Sequence, residues 1–233
     1  MKEMKSLCII PARGGSKRIP RKNIKPFMGK PIIAFSIESA LDSGLFDVVM
    51  VSTDDEEIAS VARKYGASVP FLRSAETSND YASTSDVLKE VLTKYAECGQ
   101  QFERFACIYS TAPFISAERL REANEKLDCC DCIFPVVQFS YPVQRCLVFL
   151  DGNLCYKWPA FENTRSQDLE PTYHDAGQFY FYKTEPFLND KIFKTNGILM
   201  SELEVQDLDT ETDWKLAEMK FKLIRGSDVK KNW

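Results

Sequence analysis

A layered α/β fold, with helices on both faces of a mostly parallel sheet, is the class this sequence predicts. Two observations lead there. Short apolar runs alternate four times with segments of helical period, the rhythm of strand–helix–strand units. A basic segment with paired glycines stands directly after the first run, at the edge where such sheets bind ligands, beyond the carboxyl ends of the strands.

The elements follow in order. Residues 6–10 are an apolar run closed by Pro11, as a buried strand would be. Pro31 opens a helix, where a missing N–H costs nothing in the first turn. Ile33, Ile37, Ala40 and Leu41 mark its apolar face and Gly44 ends it. Residues 47–52 read as a second strand. Residues 56–65 read as a helix, with Ile58, Val61, Ala62 and Tyr65 on one side and Gly66 as the stop. Residues 68–72 read as a third strand, and 83–95 as a helix through Val87, Leu88, Val91, Leu92 and Tyr95. Residues 104–109 form the next strand, and Ser116 caps a helix with Leu120 and Leu127 inside.

The rhythm then breaks. Strand-like pieces at 133–139, 146–150 and 154–158 lack helical signals, and the last two flank Asp151-Gly152-Asn153, a hairpin turn signal. Polar sequence fills 162–174. Strand and helix return at 176–182, at 197–201 and in a helix from Glu211 to about Ile224. The expectation is one domain over 1–233, with an insertion at about 138–175 and a polar, mobile tail over 225–233.

The chain's 233 residues, 44% hydrophobic and 27% charged, have globular composition. Enough apolar surface exists to offset ordering entropy, which excludes a disordered chain. No apolar stretch approaches the roughly 18 residues of a membrane span, and the apolar run near the start is too short for a signal peptide. A cytoplasmic protein with no membrane partner is expected. Net charge is −4, yet no acidic residue lies between Met4 and Ile37, a stretch with eight basic ones. A basic loop in an acidic protein suits a small polyanion better than nucleic acid.

Eight cysteines in a chain of this length without a secretion signal do not suggest a disulfide scaffold. Cys129 and Cys132 have CxxC spacing, with no second such pair and one histidine, His174. The two readings are a zinc site and reduced thiols packed in a core strand.

Four segments could do chemistry. In Pro11-Ala12-Arg13-Gly14-Gly15-Ser16-Lys17-Arg18, followed by Lys22-Asn23, paired glycines let backbone N–H groups approach phosphate without a Cβ in the way. Arg13 and Lys22 could hold triphosphate charge. Asp207-Leu208-Asp209 precedes the last helix. Carboxylates at i and i+2 of an extended segment point the same way, which suits Mg²⁺. The other reading is a helix cap at Asp209 or Thr210, with Asp213 as reciprocal partner. Residues 73–81 form a polar loop that could read a base or simply cap the next helix. Residues 165–169 and 173–178 are crowded with donors for a carboxylate or sugar hydroxyls, and His174 is either a general base or a hydrogen-bonded structural residue.

Together, Pro11-Ala12-Arg13-Gly14-Gly15-Ser16-Lys17, Lys22-Asn23, Arg73, Ser110-Thr111-Ala112-Pro113-Phe114 and Asp207-Leu208-Asp209-Thr210-Glu211 resemble the cytidylyltransferases that activate nonulosonic acids. That family includes the CMP-N-acetylneuraminate synthetases and, more distantly, the Kdo-activating enzymes. The resemblance runs from Ser6 to about Ile224. Arg165-Ser166-Gln167-Asp168-Leu169 and Tyr173-His174-Asp175-Ala176-Gly177-Gln178 are most similar to the branch acting on pseudaminic acid. The sialic acid enzymes typically carry Gln-Pro-Thr-Ser-Pro-Leu-Arg where this chain has Ser110 to Phe114.

The resemblance implies a three-layer, Rossmann-like nucleotidyltransferase fold whose small insertion pairs two subunits as a homodimer. It implies transfer of CMP from CTP to a nine-carbon acid sugar, pseudaminic acid, with Mg²⁺ as cofactor. It assigns catalysis to Arg13, Lys22 and Asp209. Nucleotide binding falls to Ala12, Arg13, Gly14, Gly15, Ser16, Lys22, Asn23, Arg73, Ser78 and Asp80, with Arg73 on the cytosine. Ser110, Thr111, Arg165, Gln167 and Gln178 go to the sugar, and Asp207 and Asp209 to the metal. Phe139, Tyr141, Val143, Leu147, Phe149 and Trp158 would anchor the dimer, unless they form a hairpin core within one subunit. The rivals are the same transfer to sialic or legionaminic acid, and a non-catalytic nucleotide-binding protein, which would not need the carboxylate pair.

Overall fold

A computed structural model describes residues 5–191 and 193–229. The chain runs β1 (Ser6–Pro11), the short pair β2 (Pro26–Phe27) and β3 (Lys30–Pro31), α1 (Ile32–Ser43), β4 (Val48–Ser52) and α2 (Glu56–Lys64). Next come α3 (Ala75–Ser78), α4 (Thr84–Glu97), β5 (Arg104–Ile108), α5 (Ala117–Lys126) and β6 (Cys132–Gln138). The hairpin β7 (Leu147–Leu150) and β8 (Asn153–Tyr156) precedes β9 (Tyr173–Asp175), β10 (Phe179–Lys183), α6 (Thr184–Leu188), β11 (Thr195–Leu199) and α7 (Glu211–Val229).

The main sheet has the order β11-β6-β10-β5-β1-β4, with β9 paired to β6. β1 lies parallel to both β4 and β5, and β11 lies parallel to β6. β10 runs antiparallel between β5 and β6, so the sheet is mixed, with its central strands mostly parallel. Alternation along β1 builds the layers. Cys8 and Ile10 face a core with Ile33, Ile37, Ile58 and Leu120, whereas Leu7 and Ile9 face Leu88, Val91, Leu92 and Phe105. Helices α1, α2 and α5 therefore cover one face and α4 the other. Each large side chain fully buried this way contributes roughly 1.5–3 kcal/mol.

Punctuation read from sequence is reproduced. Gly44 ends α1 at φ 66°, a conformation only glycine adopts without penalty. Ser83 and Asp86 form a reciprocal cap at the start of α4, and Ser116 caps α5. Asp151 and Gly152 both have positive φ, as the tight hairpin turn between β7 and β8 requires.

Two expectations change. The third strand at 68–72 reduces to an isolated bridge between Met50 and Ser68, since Pro70 has no N–H to give a ladder. The last helix does not stop near Ile224 but continues to Val229. Residues 230–233 of the expected tail lie outside the described residues, as do 1–4 of the start. The thiols of Cys8, Cys107 and Cys132 are buried in β1, β5 and β6. Burial pushes both Cys107 and Cys132 up to about 12, so these groups stay protonated.

Between β6 and β9 the chain leaves the sheet. Phe139, Tyr141, Leu147, Phe149 and Trp158 are exposed there, so they build no hairpin core within one chain.

A third apolar cluster positions the site. Ile19, Phe27, Ile32 and Phe35 pack against Leu208, Trp214, Ala217 and Phe221 of the chain's last part. Phe27 meets Phe35, Trp214 and Phe221 edge-on at 5.5–5.6 Å. The loop after β1 is thus clamped to the segment before α7.

Candidate active site

The loop after β1 runs over the carboxyl edge of the sheet. The Ala12 N–H donates to the Ser52 carbonyl at 2.9 Å, continuing the strand pairing by one residue. Gly14 donates its N–H to Asp54 Oδ1 at 2.8 Å, and Ser16 donates to the Gly14 carbonyl at 3.0 Å. A Cβ on Gly14 would lie 2.8 Å from Asp55 Oδ2, whereas one on Gly15 would meet nothing within 4 Å. The glycine at 14 therefore serves close packing against Asp55. Its N–H is taken by Asp54, which corrects the expectation that both glycine N–H groups are open to phosphate.

Asp55 caps α2 through the N–H groups of Glu57 and Ile58, both at 3.0 Å. It also pairs with Arg21, which reaches Glu57 as well. The Arg21 guanidinium and the two backbone donors hold the Asp55 carboxyl at about 2 against the opposing effect of burial.

Asn23 is buried and acts as a strut. Its amide donates to the Arg13 carbonyl at 2.8 Å and accepts from the Ser110 hydroxyl at 2.9 Å. Arg73 is buried as well, and donates to the Ser52 hydroxyl and carbonyl at 3.2 and 2.6 Å. Burial pushes the Arg73 guanidinium down, opposed by the charges of Asp54 and Glu90.

These elements enclose a cavity of about 500 Å³. Arg13, Lys17, Arg18, Lys22 and Arg73 all line it, while Asp80 is its one lining carboxylate among the described residues. Such an excess of cations in one cleft concentrates an anionic ligand. Asp80 accepts from Arg13 Nη1 at 2.7 Å and pairs with Lys17. Tyr109, Ser110 and Thr111 form the wall below β5. Ser78 turns its hydroxyl onto the Ser74 carbonyl at 2.6 Å, and Thr77 lines the cavity near it.

Lys22 donates to the Leu208 carbonyl at 2.7 Å, with Asp209 Oδ1 at 3.8 Å. Burial pushes its ammonium down, and the carboxylates of Asp209 and Asp207 act against that. Arg18 reaches Asp209 Oδ2 at 2.6 Å. Leu208 is buried between the two aspartates, with Asp207 exposed and Asp209 half-exposed, as alternation along an extended segment requires. The cap of α7 belongs to Thr210 and Asp213, which exchange bonds at 2.8 and 3.2 Å. Among the described residues, no cluster of three or more His, Cys, Asp or Glu side chains could hold a metal ion. Two carboxylates are nevertheless what Mg²⁺ usually takes from a protein when phosphate and water complete its shell.

The expected sugar residues divide. Ser110 and Thr111 line the cavity. Gln178 is buried and donates to the Glu204 carbonyl at 2.5 Å. Gln167 lines a separate hollow of about 360 Å³ with Phe139, Leu169 and Thr172, and Arg165 stands at the adjoining turn. Neither lines the cationic cavity of its own chain. His174 sits exposed on β9, against the Phe139 ring at 4.9 Å, with Nδ1 on the Asp175 carbonyl. Sequence reasoning passed over Lys17, Arg18 and Tyr109 as lining residues, and Asp54 as the partner of Gly14. The first two were legible as part of the basic run. Asp54 and Tyr109 gave no signal, since their place depends on neighbouring strand ends.

A sheet covered by helices on both faces, with five cations lining a cavity at its carboxyl edge, defines an α/β protein built to take an anionic ligand. Residues 7–131 match the family model described as Cytidylyltransferase. The chain is 44% identical, over 96% of its length and 99% of the relative's, to the pseudaminic acid cytidylyltransferase of Campylobacter jejuni. It is 34% identical, over 94% and 97%, to the CMP-N,N'-diacetyllegionaminic acid synthase of Legionella pneumophila. Its fold matches a CMP:2-keto-3-deoxy-manno-octonic acid synthetase solved with CTP, at a TM-score of 0.68 and 18% identity, covering 95% and 99% of the two chains. The chain belongs to the cytidylyltransferase family. No helix among the described residues is long and apolar enough to cross a membrane.

Proposed function

We propose that this protein transfers CMP from CTP to the C2 hydroxyl of pseudaminic acid, releasing pyrophosphate. The observation behind the chemistry is the convergence of Arg13, Lys17, Arg18, Lys22 and Arg73 on one cavity. The choice of sugar rests on likeness to the Campylobacter jejuni relative over nearly the whole of both chains.

In this reading the triphosphate replaces the Asp80 carboxylate on Arg13 and Lys17, and its other oxygens meet Arg18 and Lys22. Arg73 faces the cytosine. The C2 hydroxyl attacks the α-phosphorus and pyrophosphate departs in line. The barrier lies in crowding anionic oxygens around phosphorus while admitting a second anion. Positioning and charge neutralisation therefore supply most of the acceleration. Asp207 and Asp209 would hold Mg²⁺, whose charge offsets that of the phosphate oxygens. Arg18 and Lys22 hold the Asp209 carboxylate toward the loop.

Arg165 and Gln167 complete the sugar site from a second copy of the chain. Two facts support this: both stand off their own chain's cavity, and the excursion that bears them exposes Tyr141, Phe149 and Leu150. A homodimer through residues 138–175 would cover those side chains. Incubating the protein with CTP, Mg²⁺ and one acid sugar at a time, and measuring pyrophosphate, tests the reading. Release with pseudaminic acid supports it, and release only with sialic or legionaminic acid assigns the sugar differently.

A further inference from the structure

Glu90 lies in the middle of α4, one layer behind the cavity wall, and does not line the cavity. Its side chain is only 13% exposed, and it gathers three donors. Oε1 accepts from the Ser74 N–H at 2.9 Å and from Lys94 Nζ at 2.6 Å. Oε2 accepts from the Thr77 hydroxyl. Lys94 in turn donates to the Leu72 carbonyl at 3.1 Å and sits 4.9 Å over the Phe71 ring. The pair of helix residues therefore grips the chain from Phe71 to Thr77 at both ends. Within that stretch lie Arg73 and Thr77, both on the cavity wall.

The electrostatics agree with the geometry. Burial alone would raise the Glu90 carboxyl, but the bonds from Lys94, Thr77 and Ser74 overcome it and hold the group at about 2. Glu90 is therefore an anion at any working pH. Arg73 spends its hydrogen bonds on the neutral Ser52, so its buried charge draws on Asp54 and Glu90 through space. A surface ion pair alone would be worth little. A carboxylate this enclosed, bonded to a backbone N–H, a hydroxyl and an ammonium, fixes the loop it holds.

We propose that Glu90 is a positioning residue for the nucleotide. It fixes the wall that Arg73 and Thr77 present to the base, and so sets affinity for CTP and preference over UTP without touching either. The inference rests on Arg73 being the nucleobase contact, and not on which sugar is used.

The test is CTP and UTP binding by calorimetry, without sugar, on the wild type, Glu90→Gln and Thr77→Val. Steady-state kinetics and melting temperatures accompany it. An amide leaves one acceptor for three donors and turns an NH₂ toward them. Glu90→Gln should raise the Kd for CTP by about ten-fold or more, the scale of losing a hydrogen bond to a charged group. The preference for CTP over UTP should shrink, kcat should change less than about three-fold, and the KM for the sugar should hold, since only a nucleotide contact is disturbed. Thr77→Val, which leaves the carboxylate in place, should shift CTP binding the same way by a smaller factor. If Glu90→Gln does not fold, Thr77→Val decides alone. Unchanged CTP affinity in the folded variants overturns the proposal. So does a fall in melting temperature with both KM values rising together and the CTP preference intact, the signature of a merely structural residue. Because binding is read without sugar, failure of pseudaminic acid as acceptor would leave this result standing, and the reverse.

Discussion

The Lys22 ammonium donates to the Leu208 carbonyl at 2.7 Å. With the Arg18–Asp209 pair, this bond ties the loop after the first strand to the segment that bears Asp207 and Asp209, across 186 residues of chain. Leu208 packs beneath it with Phe27 and Trp214, so the loop's cations and the carboxylate pair are set by the same small core. Lys22 is accordingly both a charge and a tie.

Lys22→Ala should lose both functions. Turnover with CTP should drop by at least about 100-fold, the scale of removing one electrostatic stabiliser. Stability should fall by about 1 kcal/mol, since a half-buried donor to a carbonyl is lost. Kinetics and thermal unfolding on one preparation check this. Normal activity with lowered stability would make Lys22 structural only.

Asp209→Asn separates the metal reading from the helix cap. Thr210 and Asp213 cap α7, so the variant should melt close to the wild type while turnover falls at least about 100-fold. EDTA should abolish wild-type turnover and Mg²⁺ restore it. Full activity in the folded variant would remove Asp209 from the site.

Asp80→Ala should bind CTP more tightly, by about two- to five-fold, since exposed ion pairs are worth that much and no more. The variant leaves Arg13 and Lys17 without the carboxylate that pairs with both of them. The effect should shrink at high salt. Weaker binding would instead mean that the Asp80 carboxylate contacts the nucleotide itself.

Asp55 gives a pH signature. Its folded carboxyl is held at about 2 by Arg21 and two backbone N–H groups, below the ordinary Asp value of about 4. The stabilisation is therefore present above that ordinary value and is lost as pH falls through the folded one. Asp55→Asn should be less stable than the wild type by about 1 kcal/mol at neutral pH. The gap should close as pH falls from about 4 toward 2, read by urea unfolding at a series of pH values. A gap independent of pH would show that Asp55 acts only as a neutral cap.

What the sequence made legible is what depends on neighbours in the chain. The period of 83–95, the Gly44 stop and the paired carboxylates around Leu208 are local patterns, and each stands where the pattern put it. Gly14 shows the opposite case. Its need for glycine comes from Asp55, 41 residues on, so the pattern flagged the residue and missed the reason. The strand at 68–72 had apolar residues but also Pro70, whose missing N–H outweighed them. Glu90 stands in no motif of the sequence, because its three donors come from a loop and from the next turn of its own helix. Arg165 and Gln167 stand apart from the cavity within one chain, because the excursion that bears them leaves the sheet between β6 and β9.

Activation of pseudaminic acid is tested by kcat/KM for that sugar against N-acetylneuraminic acid, at saturating CTP and Mg²⁺. The two share a carboxylate and a nine-carbon frame, and differ at C7, at C9 and in ring stereochemistry. A pocket shaped for one meets the other with misplaced polar groups, each costing about 1–3 kcal/mol. Two or three such mismatches predict a preference for pseudaminic acid above roughly a thousandfold. Comparable values for the two sugars, or a preference for N-acetylneuraminic acid, would contradict the assignment.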